Sequence, residues 1–210
     1  MIVVTACYAI EARRIVNREG VRVVRTAVGE SAPEALEGLL GDDVASLSAL
    51  VSTGFCGALQ ADLRMGDLVL ADVVRHRGEE ILVSPQLLER AWKALDAGGY
   101  APRTGACVSV VEVADGPRKR ALADDGALSV DMESGPLARW AREQKVPFLS
   151  LRVVLDPLGM DLPFSAKGSL AGSVLRHPVW SVRVALSGML VGRTLGRALN
   201  NLMSVLEEGA

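Results

Sequence analysis

The chain has 210 residues, half of them apolar, which is enough to bury one sizeable core and predicts a single domain over residues 1–210. A formal charge of −2 removes overall charge balance as a reason to expect a nucleic acid or other polyanion as partner. Cys7, Cys56 and Cys107 are odd in number and lack metal-ligand spacing, so they read as free buried thiols of a reducing cytoplasm, and no metal site is expected. Met1 to Ala6 carries no basic leader region and no apolar run reaches the length of about eighteen residues that a spanning helix needs.

Met1 to Cys7 is apolar and β-branched and reads as a buried first strand, with a helix starting at Tyr8 and running through Arg14. Glu11 therefore falls just beyond a strand end, as a candidate for chemistry or as a solvated first-turn carboxylate favoured by the helix dipole. Gly20 to Val28 alternates as an amphipathic strand carrying Arg22 and Arg25, and Gly29 to Pro33 opens a helix to about Leu40. A glycine turn before a helix can offer backbone N–H groups to an anion, a weak signal taken alone.

Ala45 to Thr53 predicts a third strand running into Gly54-Phe55-Cys56-Gly57-Ala58-Leu59. Glycines there allow close backbone approach to a sugar or an anion, with no Cβ in the way. Arg75 to Leu82 reads as an edge or loop, with His76 at the surface between Arg75 and Arg77. Pro85 to Gly98 predicts a helix with Leu87, Leu88, Ala91, Trp92 and Leu95 inward. Thr104 to Val113 predicts another strand, and Ala114 to Pro117 starts the helix containing Arg118, Lys119 and Arg120.

Val130 to Asp156 is the most informative stretch. A short strand end, an acidic turn and an amphipathic helix lead into the run Phe148 to Leu155, bounded by Pro147 and Pro157, as expected of a strand covered on both faces. Such a β-α-β unit predicts an α/β fold and brings Glu133 and Asp156 to one sheet edge, where α/β proteins place their sites. Pro157 to Pro163 is a turn-rich loop that reads equally as a lid or as ordinary surface. From Lys167 to Leu206 five cations occur without an acidic residue. On a helix over about 168–206, Arg176, Arg183 and Arg197 form a basic ridge opposite Val182, Leu186, Met189, Leu190 and Leu199. Gly188, Gly192 and Gly196 permit close helix approach. The apolar face packs on protein, or the helix lies on an anionic bilayer as a peripheral contact.

Val130-Asp131-Met132-Glu133-Ser134, Val146-Pro147-Phe148 and Arg152-Val153-Val154-Leu155-Asp156 together resemble the signature of the nucleoside phosphorylase and nucleosidase superfamily. Gly54 to Leu59 followed by Leu63-Arg64-Met65-Gly66-Asp67-Leu68-Val69 resembles its glycine-rich segment, with Phe55 where relatives place a small hydroxyl residue. The resemblance implies a three-layer α-β-α sandwich around a mixed, twisted central sheet, no cofactor, and a homo-oligomer. It implies that Asp156 protonates a purine, that Glu133 and Met132 grip the ribose, and that the segment of Val111, Glu112 and Val113 lines the base pocket. It further implies a pocket for phosphate or water involving Gly29, Gly54, Phe55, Arg13 and Arg25, with Glu11 activating water in the hydrolytic case. Glu11-Ala12-Arg13, the segment Asp156 to Pro163 and the basic tail look most like the hopanoid-associated phosphorylase subgroup. That implies release of adenine from adenosylhopane, at the inner face of the membrane, with inorganic phosphate as co-substrate. Hydrolysis of a methylthioadenosine- or S-adenosylhomocysteine-type nucleoside, and nucleoside binding without turnover, stand as alternatives.

Overall fold

Ile2–Ala6, built of β-branched and small residues, forms strand β1 with every side chain buried. The computed structural model of the chain describes residues 1–12, 15, 16, 18–160 and the backbone of 178–207, with side chains of the last helix placed from 187 to 206. After β1 come α1 (Ala9–Ala12), β2 (Val21–Arg25), a 3-10 turn (Gly29–Ser31) and α2 (Ala32–Leu40). A second 3-10 turn (Gly41–Ser46) leads to β3 (Ala49–Ala58), β4 (Leu68–His76) and β5 (Glu79–Leu82). Next follow α3 (Pro85–Ala97), β6 (Arg103–Ser109), α4 (Gly116–Ala123), β7 (Ser129–Asp131), α5 (Ser134–Glu143), β8 (Phe148–Asp156) and α6 (Pro178–Glu207).

The sheet is mixed and flanked by helices, the α/β layering expected. Parallel pairs join β1 to β2 and β3, β3 to β8, β4 to β6, and β6 to β7. Antiparallel pairs join β3 to β7, β4 to β5 and β4 to β8. Five strands, β3, β8, β4, β6 and β7, thus pair in a closed circuit, which no local pattern predicts. Helix α6 packs on α1, α3 and β8, while α5 packs on α2, β4, β6 and β8.

Two expectations for the sheet need correction. The strands before Glu133 and Asp156 are not parallel neighbours: β3 lies between β7 and β8 and is antiparallel to the first and parallel to the second. His76 is not at the surface but buried at the end of β4, its Nδ1 at 3.0 Å from Ser109 O and its Nε2 at 3.1 Å from Glu30 Oε1. The residues that do reach solvent there are Arg77 and Gly78, both with positive φ, which turn β4 tightly into the edge strand β5.

The last helix is rotated from the expected phase. Leu199 is buried, but Met189 and Leu190 are 45% and 62% exposed, and the covered face holds Val191, Leu195, Ala198, Leu202, Met203 and Leu206. Gly188, Gly192 and Gly196 lie on that same covered face. A Cβ at Gly192 would stand 3.1 Å from the carbonyl oxygen of Ile10. Absence of side chain, rather than apolar bulk, seats this end of the helix against α1. Arg193 and Arg197 are exposed, while Lys167, Arg176 and the Arg183 side chain lie outside the described residues. Trp92 is likewise half exposed rather than inward. Among the described residues no helix is long and apolar enough to cross a membrane.

The helix phase is checked by urea unfolding. Leu195→Ala is expected to cost about 2–5 kcal/mol as a fully buried leucine truncated to a cavity, whereas Leu190→Gln is expected to stay within about 0.5 kcal/mol of the parent.

Candidate active site

Strand β8 ends in a carboxylate because its apolar run stops at Asp156, and β7 ends one turn before Glu133, so each acid stands where regular pairing gives way to a loop or helix. Both line a single cavity of about 370 Å³. Its wall is mostly apolar, with Phe55 and Cys56 of β3, Val110, Val113 and Ala114 after β6, and Leu155 of β8. The polar groups on it are few: Tyr8, Lys119, Asp131, Glu133 and Asp156. A largely apolar cavity with a few convergent polar groups is the usual form of a small-molecule site.

The acids sit in different electrostatic settings. Burial pushes Asp156 up to about 6, against the pull of the Lys119 ammonium that donates to its Oδ2. Burial pushes Glu133 up to about 7; Arg152 opposes the rise, Asp131 and Glu11 add to it, and Gly29 N donates to Oε1 at 3.4 Å. Groups poised this way near neutrality suit proton transfer and charge-assisted hydrogen bonding.

Glu11 is held differently. Its Oε2 accepts from the backbone N–H groups of Cys7 and Tyr8 at 3.0 and 2.8 Å, and its Oε1 from that of Phe55 at 3.0 Å. It is 2% exposed and stands behind the cavity wall at Phe55 rather than on it. Burial raises its pKa, with those amides and Arg152 working the other way.

Arg152 links these groups. Its Nε lies 2.6 Å from Asp131 Oδ2, its Nη2 donates to Ser52 Oγ at 2.7 Å and to Ser134 Oγ at 2.9 Å, and it is 1% exposed. Carboxylates around it outweigh the burial cost and hold it charged. The glycines of β3 make room for these ions. A Cβ at Gly54 would lie 2.6 Å from Arg152 Nη1 and 2.9 Å from Glu11 Oε1; one at Gly57 would lie 2.8 Å from Lys119 Cε and 3.1 Å from Asp156 Oδ2. Both glycines fall inside the strand rather than beyond its end, and what approaches them closely is protein side chain.

Of the residues singled out by sequence, the fold gathers Asp156, Glu133, Met132, Phe55 and Val113 on the cavity, with Glu11, Gly29 and Gly54 just behind. It does not gather Val111, Glu112 or Arg25, which are exposed and off the wall. β6 ends at Ser109, and the irregular chain after it turns Val110 and Val113 inward and the two residues between them out. Arg13 and the end of the expected lid, Asp161 to Pro163, lie outside the described residues. Lys119 was not anticipated. The only trace of it in the sequence is its phase: it shares a helix face with Leu122 and Ala123, while its neighbours Arg118 and Arg120 point to solvent.

Residues 13–168 match the family model described as the phosphorylase superfamily. Solved structures of the same fold cover nearly the whole chain. The Streptococcus pneumoniae 5′-methylthioadenosine/S-adenosylhomocysteine nucleosidase with a transition-state inhibitor is 16% identical, with a TM-score of 0.74 over 98% of this chain and 99% of that one. The Helicobacter pylori 5′-methylthioadenosine/S-adenosylhomocysteine nucleosidase with butyl-thio-DADMe-Immucillin-A is 18% identical, at 0.73 over 97% of each. The Streptococcus pyogenes S-adenosylhomocysteine nucleosidase with 5-methylthiotubericidin is 15% identical, at 0.74 over 96% and 95%.

A carboxylate whose pKa is higher in the folded than in the unfolded chain binds more protons when folded, so its contribution to stability is lost as pH rises between the two values. For Glu133 that window runs from 4.5 to about 7. Unfolding free energy is expected to fall across it, and Glu133→Gln to flatten the fall, in chemical denaturation at a series of pH values.

Proposed function

This chain belongs to the phosphorylase superfamily, and on that premise we propose that it cleaves the N-glycosidic bond of an adenine nucleoside and releases adenine. The observation that carries the reading is the convergence of Asp156 and Glu133, both raised towards neutrality, on one largely apolar cavity. Bond cleavage of this kind needs a base that leaves neutral and a sugar that passes through a cation. Asp156 protonates the departing purine, and its raised pKa keeps a useful fraction of the acid form near neutral pH. Glu133 accepts a hydrogen bond from a ribose hydroxyl, a contact that strengthens as positive charge grows on the sugar. Met132, beside it on the wall, packs against the sugar. The scheme requires no cofactor.

We assign water as the acceptor. Among the described residues the wall presents Asp131, Glu133 and Asp156 and a single cation, Lys119, already paired, a lining that disfavours phosphate. Arg25 is exposed away from it. Glu11, made more basic by burial and placed directly behind Phe55, is the group proposed to take the proton of the attacking water. Ile10 and Leu155, with Gly188 of α6, border the cavity with apolar surface, which supports a nucleoside bearing an apolar 5′ substituent. Adenosylhopane, expected from the subgroup resemblance, belongs to that class, as does 5′-methylthioadenosine.

Adenine release from 5′-methylthioadenosine is expected to proceed undiminished in phosphate-free buffer; a rate that appears only with added phosphate would instead establish phosphorolysis. Asp156→Asn is expected to lower kcat at least about a hundredfold, and a near-normal rate would remove Asp156 from the acid role.

A further inference from the structure

Helix α4 turns one of its cations inward. Lys119 is 2% exposed, and its Nζ donates to Asp156 Oδ2 and to three carbonyls, those of Asp156 at 3.2 Å, Pro157 at 3.4 Å and Met160 at 3.5 Å. Its partners therefore all come from the single segment 156–160, and they outnumber the three protons an ammonium can donate. Burying a lysine is costly unless it is paired in this way, and an apolar residue would fill the space at lower cost. Gly57, whose missing Cβ leaves room for Lys119 Cε and Asp156 Oδ2 together, is a second accommodation of the same pair on another element.

We propose that Lys119 is a positioning residue for Asp156: its ammonium fixes the carboxyl at the cavity wall, ties it to the 156–160 segment, and sets the pH range over which Asp156 gives its proton to a leaving base. This rests on the assignment of Asp156 as the acid. In that transfer the O–H bond of Asp156 breaks and an N–H bond forms on the purine, while Lys119 keeps its own protons and pairs with the carboxylate left behind. The other ionisable groups on the wall, Tyr8 after β1, Cys56 on β3, and Asp131 and Glu133 at the end of β7, are neutral or negative, so each that ionises makes Asp156 hold its proton more tightly. Lys119 is the one cation there among the described residues, and it acts in the opposite direction.

The test compares wild type with K119M, K119Q and K119R by two readouts. One is the pH profile of kcat for adenine release from 5′-methylthioadenosine; the other is a carbon-13 NMR titration of the Asp156 carboxyl, which needs no turnover. An acid works only while protonated, so kcat falls as pH rises through its midpoint. Without the ammonium, in K119M and K119Q, both that fall and the NMR midpoint are expected to move up by at least about one pH unit, and K119R is expected to restore them. Lower kcat with the alkaline fall and the midpoint unmoved overturns the proposal, since a purely structural lysine would give that result. Should K119M not fold, K119Q keeps a donor without the charge and gives the same comparison. A wild-type protein that releases no adenine defeats the functional reading, and the NMR titration then decides the role of Lys119 by itself.

Discussion

A guanidinium without access to water has to be neutralised where it stands, and in this protein that requirement organises the site. Arg152 is buried on β8, and stripping such an ion of its partners costs several kcal/mol. Its partners come from three places in the chain: Ser52 of β3, Asp131 of β7 and Ser134 of α5. Ser134 is in turn bonded to Asp131 and to Ser150. One cation thereby fixes the relative positions of the elements that carry the candidate acids. It also moderates Glu11 and Glu133, the second of which otherwise faces both Asp131 and Glu11 as repelling anions in the interior.

Two carboxylates of similar intrinsic acidity come to differ through their neighbours. Asp156 faces an ammonium across the cavity wall, whereas Glu133 faces other anions and is relieved by Arg152 from behind. The glycines of β3 serve this division, because Gly54 admits Arg152 and Glu11 while Gly57 admits Lys119 and Asp156.

The stretch from Val130 to Asp156 disclosed the strand, helix and strand, and the two acids, because its apolar periodicity and its boundaries are local properties of the chain. Its carboxylates do share a cavity, though for a reason no periodicity could reveal: β3 enters between β7 and β8, a pairing between residues far apart in sequence. Lys119 was hidden for a related reason. Between Arg118 and Arg120 it looks like part of a solvated cationic run, and beyond its helix phase only the position of Asp156 in space distinguishes it. His76 was misplaced in the same way, flanked by two arginines in sequence but covered in the fold, where a Cβ at Gly135 would fall 2.4 Å from its ring. The phase of the last helix is hard to read locally because apolar residues occur around most of it, and the glycines that seat its near end against α1 lie on the same face as Val191, Leu195 and Leu202.

Strands β3, β8, β4, β6 and β7 each have a partner on both sides. In an open sheet an outer strand can shift by one residue at the expense of one ladder, and such a slip exchanges the faces of all its side chains. Here a slip of β8 would break its ladders with β3 and β4 at once, and would carry Arg152 and Asp156 to the wrong side together. The ring leaves its members no independent sliding motion, so the spacing between Asp156, Glu133 and the buried Arg152 is insulated from wear at the periphery. Freedom to vary the shape of the cavity lies correspondingly in what borders the ring, the segments after β1 and β6 and the near end of α6.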